Sequence, residues 1–159
     1  MNDRKSQVMI VDDHAVVRKG LISLIEDSQD LQVAGEAASV ADALKLSAAV
    51  RIDLALIDMR LPDGDGLDLV GSIKANLPGM KTIILTAYPH PHLTESALQH
   101  GVDGVLLKTI DGESILMAIA AVLEGRTYID PALVPSVVES LRRKSTAEIG
   151  DDTDARILS

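Results

Sequence analysis

The chain has 159 residues and a net charge of −9, and 47% of its residues are hydrophobic. This length suits one domain with a short extension, and the apolar content can supply its core. The acidic charge argues against nonspecific binding of DNA or anionic membranes, and the lack of Phe and Trp argues against a nucleic-acid surface built on aromatic stacking. Cysteine is absent, which excludes disulfides and thiolate chemistry. We find no signal peptide and no membrane-length apolar run, so we expect a cytoplasmic protein with no membrane partner.

Short β-rich runs alternate with amphipathic helix patterns over the first 125 residues. Apolar positions three and four residues apart predict a helix after each run. The runs that predict strands are 8–11, 31–37, 54–58, 81–87 and 104–108. Five strand-plus-helix units predict a doubly wound α/β domain with a parallel sheet. In such sheets, ligands bind beyond the carboxyl ends of the strands.

The segment after the fifth helix predicts one more helix and then a polar tail. Asp130 and Pro131 are favourable at the N-cap and at the first helical position, and an apolar stripe with helical spacing follows them. The tail is acidic and contains glycine, which is typical of a linker. We therefore expect a domain in 1–125, a linker helix in 126–144 and a flexible linker in 145–159.

Polar side chains stand at the C-terminal ends of four predicted strands. They are Asp12 and Asp13 after the first strand, Asp58 at the third, Thr86 at the fourth and Lys108 at the fifth. The predicted sheet brings all five to one edge, where clustered carboxylates favour a divalent cation bound through oxygen. Because these positions include no His or Cys, they favour Mg²⁺ over Zn²⁺. The ammonium and hydroxyl groups beside the metal suggest a phosphoryl group as well.

Each of these residues also has a structural interpretation. Taken one at a time, the aspartates could cap a helix or stand in a turn. The threonine could be an ordinary strand residue, and the lysine could be a solvated strand end. Their coincidence at one sheet edge favours a functional site. Asp63 and Asp65 lie in the glycine-containing turn after the third strand, where we expect turn and capping roles.

Four pieces of the sequence, VMIVDDH, LALIDMRLPDGDGLDLV, TIILTA and GVDGVLLK, resemble the receiver domain of two-component response regulators. The resemblance covers about residues 7–125. VDDHAVVRKGL and EGRTYIDPALV further resemble the NarL/FixJ subfamily, whose members usually carry a C-terminal LuxR-type helix-turn-helix. The resemblance implies a flavodoxin-like, five-stranded parallel sheet in the order 2-1-3-4-5, flanked by five helices.

The resemblance also implies a role for each residue at the sheet edge. Asp58 would be the phosphoacceptor, and Thr86 and Lys108 would contact the phosphoryl oxygens. A Mg²⁺ ion would have four protein ligands, which are Asp12 (partly through water), Asp13, Asp58 and the backbone carbonyl of Arg60. The chain would then be a signalling switch and not an enzyme, apart from self-phosphorylation and autodephosphorylation.

The expected function is a receiver that controls an output domain, most simply in transcription, when a sensor histidine kinase causes phosphorylation of the aspartate. The resemblance implies a homodimer that contacts DNA only through a C-terminal domain absent from this chain. The chain stops at RILS, where a LuxR-type domain would begin, so we expect it to be cut at that boundary.

Two positions depart from the family pattern, and three other functions remain open. Val105 stands where the family often has Tyr or Phe, and Thr109 stands where many receivers have Pro. A stand-alone receiver would act through protein contacts only. A phosphatase of the haloacid-dehalogenase type would need a second Asp where Arg60 stands. A nucleotide-binding flavodoxin-like module would need a glycine-rich loop after the first strand, where DDHAVVRKG stands instead.

Overall fold

The computed structural model describes residues 4–145, which form a six-stranded sheet with helices on both faces. The strands are β1 (Ser6–Val11), β2 (Leu31–Ala37), β3 (Leu54–Asp58), β4 (Lys81–Thr86), β5 (Gly104–Leu107) and β6 (Tyr128–Ile129). The helices are α1 (Ala15–Glu26), α2 (Val40–Ala49), α3 (Gly66–Asn76), α4 (Pro91–Gln99), α5 (Gly112–Leu123) and α6 (134–145), which follows a 3₁₀ turn at Pro131–Leu133. Of the predicted flexible linker, 146–159 lies outside the described residues. No described helix is long and apolar enough to cross a membrane.

The strand order is β2-β1-β3-β4-β5-β6, and every neighbouring pair is parallel. This confirms the predicted order of the first five strands and adds a sixth. Gly104 and Val105 on β5 pair with Tyr128 and Ile129 on β6. The segment predicted as a linker helix in 126–144 therefore begins with a strand. A strand of two residues is too short to show a periodic sequence pattern, so β6 could not be predicted from the sequence. It forms because the edge of β5 is open to pair with it.

The helices cover the sheet in two layers. Side chains of α2, α3 and α4 build an apolar cluster on one face, and those of α1 and α5 build another on the opposite face. Along β3, Ala55 and Ile57 join the first cluster, whereas Leu54 and Leu56 join the second. All four are fully buried. Burial on both faces explains the unbroken apolar run, and it holds the end of β3 rigidly in place.

The chain turns sharply after β3 to begin α3. The backbone N–H of Gly66 donates to the carbonyl of Met59 at 2.7 Å. A Cβ atom on Gly66 would lie 2.7 Å from the backbone oxygen of Asp58, so only glycine fits this close approach. The start of α3 therefore packs directly against the residue that ends β3.

The two aspartates of this turn cap helices, which confirms their predicted role. The Asp65 carboxylate accepts from the backbone N–H of Asp68 in a capping box that starts α3. The Asp63 carboxylate instead accepts from the backbone N–H groups of Val40 and Ala41 in α2, at 2.8 and 3.0 Å. The turn is therefore fastened to two different helices.

Helix α6 is attached to the sheet through Asp130 and to α4 through Glu95. The buried Asp130 carboxylate accepts from the backbone N–H groups of Leu107 and Ala132, both at 2.9 Å. Asp130 therefore has a capping role, but it caps the 3₁₀ turn Pro131–Leu133 that precedes α6, and it links that turn to the end of β5. Farther along α6, the hydroxyl of Ser140 donates to Glu95 at 2.5 Å, and this contact holds the pKa of the Glu95 carboxyl below its usual value. The turn before α6 thus contacts the end of β5, and the middle of α6 contacts α4.

Candidate functional site

The carboxyl edge of the sheet brings together side chains from four strands that lie far apart in sequence. Lys108 follows β5, and its Nζ lies 3.0 Å from Oδ2 of Asp58 and 3.2 Å from Oδ2 of Asp12. Asp12 is 1% exposed and Asp58 is 4% exposed. Such burial does not fit aspartates in an exposed turn, because buried charges need partners, and the two short contacts of Lys108 do not fit a solvated lysine. The three groups form one electrostatic unit.

The charges in this unit shift one another's proton affinities. Burial raises the pKa of the Asp58 carboxyl, and the negative charge of Asp12 adds to that, although the hydrogen bond with Lys108 opposes it. For Lys108, burial by itself lowers the pKa, but its contacts with Asp58 and Asp12 outweigh burial and leave the pKa raised. Lys108 therefore stays charged at neutral pH and offsets part of the carboxylate charge.

A second group of side chains adjoins this unit at the start of α1. The backbone N–H of His14 donates to Oδ1 of Asp12 at 2.8 Å. Nδ1 of the same residue lies 3.0 Å from Oδ1 of Asp12 and 3.0 Å from Oδ1 of Asp13. His14 is the N-cap of α1, so neither aspartate has the capping role that the sequence left open. The sequence interpretation missed His14, although it directly follows the two aspartates.

The donor set fits a divalent cation. Asp12, Asp13, His14 and Asp58 each offer a ligand atom, and these atoms lie within 4.8 Å of one another. Oδ2 of Asp12 is buried and has no hydrogen-bond partner among the described residues, although the Lys108 charge is near it. Three ionised carboxylates and one ammonium leave two negative charges, which a dication would neutralise.

Thr86 connects the site to the loop before α4. Its side chain is buried, and Oγ1 donates to the backbone carbonyl of Tyr88 at 3.3 Å. The backbone carbonyl of Thr86 accepts from the N–H of Lys108 at 2.8 Å, which fixes the two strand ends together. Val105 is fully buried within the α2–α4 cluster, whereas Tyr88 is 73% exposed. The residue at the usual aromatic position is thus an ordinary core residue here.

A cleft of about 930 Å³ opens over the carboxyl edge. Asp58, Thr86 and Lys108 line it, together with His14, residues of the loops after β3 and β4, and the start of α4. Arg60, Tyr88 and His90 come from those loops, whereas His92 lies in the first turn of α4. Asp58 is therefore buried by its neighbours yet borders an open cleft. Sequence patterns predicted which strand ends meet but not the residues of the cleft wall, since these come from loops and from the start of α4.

Comparisons with known proteins place the chain in a family. The family described as "Response regulator receiver domain" matches residues 8–120. The DNA-binding transcriptional activator DevR/DosR of Mycobacterium tuberculosis (strain ATCC 25618 / H37Rv) is 37% identical over 136 residues, which are 86% of this chain and 63% of that protein. The chain therefore spans less than two thirds of the length of this curated relative.

Two solved structures that the match covers almost completely share the fold. A two-component response regulator of the LuxR family from Aurantimonas sp. SI85-9A1 superposes with a TM-score of 0.82 at 28% identity, covering 86% of this chain and 98% of that one. The signal receiver domain of the putative response regulator NarL from Mycobacterium tuberculosis gives a TM-score of 0.74 at 32% identity, covering 77% and 99%. The family match, the similar structures and the strand order agree, and the chain belongs to the response regulator receiver family, in its NarL/FixJ type, which is a signalling family and not a family of classical enzymes.

Proposed function

We propose that the chain is a switch whose phosphoacceptor is Asp58. The observation that carries this proposal is the position of its carboxylate. Asp58 ends the central, fully buried strand, lies 3.0 Å from the Lys108 ammonium and borders an open cleft. A rigid nucleophile beside a fixed positive charge is what phosphoryl transfer requires, because such catalysis depends on positioning and electrostatic stabilisation.

In the proposed reaction an oxygen of the Asp58 carboxylate attacks phosphorus in line. A bond forms between this oxygen and phosphorus while the bond to the donor's leaving group breaks, and the leaving group keeps the electron pair. Lys108 pairs with the phosphoryl oxygens, and the hydroxyl of Thr86 donates to one of them. The reaction is limited to self-phosphorylation of this carboxylate and later hydrolysis of the acyl phosphate.

The proposed metal is Mg²⁺. Its ligands are Asp13, Asp12 (partly through water), Asp58 and the backbone carbonyl of Arg60. A bound Mg²⁺ ion supplies positive charge that neutralises the phosphoryl oxygens during transfer. The buried carboxylates of Asp12 and Asp58 support this assignment, because they share the single Lys108 ammonium and a bound cation would offset the remaining negative charge.

The contacts of Thr86 and Glu95 suggest how the phosphoryl group is sensed. When Thr86 donates to a phosphoryl oxygen, it gives up its bond to the carbonyl of Tyr88 in the loop before α4. Helix α4 carries Glu95, which contacts Ser140 and Lys144 on α6. A shift of this loop can therefore reach α6 without an aromatic side chain at position 105.

We further infer the cellular context from the family. A sensor histidine kinase would supply the phosphoryl group in the cytoplasm, and the active form would be a homodimer. Residues 1–125 would be the receiver and 126–144 the linker to an output domain. DevR/DosR bears the name of a DNA-binding transcriptional activator and is longer than this chain, which supports a DNA-binding output through a C-terminal domain.

Phosphorylation of the purified chain tests the assignment. Incubation with acetyl phosphate and Mg²⁺ should add the mass of one phosphoryl group, and a chelator should prevent it. Asp58→Asn should not be labelled, because an amide is not a nucleophile of this kind. Asp63→Asn is a matched control, since Asp63 is exposed and caps α2 in the same turn. Labelling retained by Asp58→Asn would overturn the assignment.

A further inference from the structure

Polar contacts hold the middle and the end of α6 against α4. The hydroxyl of Ser140 donates to one carboxylate oxygen of Glu95 at 2.5 Å, and Nζ of Lys144 lies 3.4 Å from the other. Ser140 is only 8% exposed although it is polar. Among the described residues of α6, Val137 is the only apolar side chain that is buried. Apolar burial therefore contributes little to this attachment, and the charged Glu95 with its two partners contributes much of it.

A cavity of about 320 Å³ lies between the two helices. Its lining contains all three residues of this contact, together with His92 and Arg143. The helices are therefore not closely packed here, so few apolar contacts would be lost if α6 moved away from α4. His92, in the first turn of α4, also lines the cleft beside Asp58. The first turn of α4 thus lies between the acceptor site and the contact with α6.

Helix α4 is weakly anchored to the sheet. Among its described side chains only Thr94 and Ala97 are buried, and both are small, whereas α3 buries leucine, valine and isoleucine side chains. Thr94 is 1% exposed, and its hydroxyl has no hydrogen-bond partner among the described residues. His90, the N-cap of α4, makes no side-chain capping bond. Because little apolar area is buried and a buried hydroxyl lacks a partner, little opposes a shift of α4.

We propose that Glu95, Ser140 and Lys144 form a latch that restrains α6 in the unphosphorylated chain and opens on phosphorylation. When the hydroxyl of Thr86 leaves the carbonyl of Tyr88 for a phosphoryl oxygen, the loop before α4 loses a hydrogen bond and the helix can shift. Glu95 moves with α4, so its carboxylate withdraws from α6 and the latch breaks. This inference rests on the proposed phosphorylation of the acceptor aspartate and adds to it a restraint on α6.

Thermodynamic linkage makes the latch measurable at the acceptor site. If the latch must open when a phosphoryl group is bound, then its closure opposes that binding, and removal of the latch strengthens the binding by the same factor. A contact with a purely structural role would stabilise α6 without changing the affinity at Asp58. The affinity of the acceptor site for a phosphoryl mimic therefore separates the two roles.

Calorimetric titration of the full chain with beryllofluoride and Mg²⁺ tests the proposal, since beryllofluoride mimics a bound phosphoryl group. Ser140→Ala and Glu95→Ala should each bind it about fivefold more tightly than the unmodified chain, at the lower end of common couplings between sites. Glu139→Gln is the matched control. Glu139 is next to Ser140, is exposed and pairs with Arg143 on the same helix, so its replacement should leave the affinity unchanged.

Hydrogen exchange of the backbone N–H groups of α6 is the second measurement. Beryllofluoride should raise their exchange rates by about tenfold in the unmodified chain, because a hydrogen bond to a charged group is lost. Ser140→Ala should show the faster exchange without beryllofluoride, and the mimic should then add little. Glu139→Gln should behave as the unmodified chain does.

Equal affinity for beryllofluoride in Ser140→Ala, Glu95→Ala and the unmodified chain would overturn the latch and leave phosphorylation of Asp58 intact. Exchange of α6 that does not change when the unmodified chain binds beryllofluoride would overturn it as well. The proposed function has its own readout, which is the mass of one phosphoryl group added by acetyl phosphate. If the unmodified chain neither gains this mass nor binds beryllofluoride, the proposed function is wrong and the latch falls with it.

Discussion

Replacing Gly66 with alanine would place a methyl group against the strand that carries Asp58. The new Cβ would lie 2.7 Å from the backbone oxygen of Asp58, 3.0 Å from Cδ1 of Ile84 and 3.1 Å from Cγ2 of Ile57. A normal contact begins near 3.4 Å, so the start of α3 must withdraw by about 0.7 Å, which is 3.4 minus 2.7. The nearest atom belongs to the backbone and cannot rotate away.

Overpacking of this kind costs about 1–3 kcal/mol. Alanine also restricts the unfolded chain more than glycine does, which stabilises the folded state by about 0.4–1 kcal/mol and offsets part of the loss. We therefore expect Gly66→Ala to lower the free energy of unfolding by roughly 1–2 kcal/mol and the melting temperature by about 2–8 °C. The displaced carbonyl should also slow phosphorylation of Asp58, because the nucleophile moves with its strand.

Gly71→Ala is the matched control in the same helix. A Cβ at Gly71 would have no atom within 4 Å, so only the propensity gain remains. Its melting temperature should rise by about 1–4 °C, and its labelling rate should not change. Thermal unfolding followed by circular dichroism, together with timed mass measurements of phosphorylation, checks both variants. A Gly66→Ala variant as stable as Gly71→Ala would refute the packing argument.

Two further perturbations test the electrostatics and the attachment of α6. The pKa of Asp58 is raised above 3.8, so the folded state holds its proton more tightly than the unfolded state, and stability falls as pH rises from 3.8 through the raised value. Asp58→Asn should remove this loss, so at pH 7 and with a chelator present the variant should have a higher free energy of unfolding than the unmodified chain. If urea unfolding gives both proteins the same dependence of stability on pH, the prediction is wrong. Asp130→Ala leaves the N–H groups of Leu107 and Ala132 without acceptors and should cost about 2–4 kcal/mol, whereas Asp130→Asn keeps one acceptor oxygen and should cost about half. Equal losses in urea unfolding for the two Asp130 variants would show that only one of these bonds matters.

Much of the fold is encoded locally and could be predicted from the sequence. The apolar run that ends at Asp58 predicts a strand covered on both faces, and β3 is that strand. Helix α5 likewise follows from its apolar spacing. Burial of one face makes apolar residues recur with the spacing of the helix or strand, so a few neighbouring residues are enough to predict the element. The edge that carries Asp12, Asp58 and Lys108 then follows from the parallel topology alone, since parallel strands end on the same side.

Contacts between distant segments were decided only by the tertiary structure. The pairing of β6, the capping of α2 by Asp63 and the bond from Ser140 to Glu95 each join elements whose spacing in sequence gives no signal. Local patterns determine which residues are buried; only the packing of several elements together determines which polar groups meet.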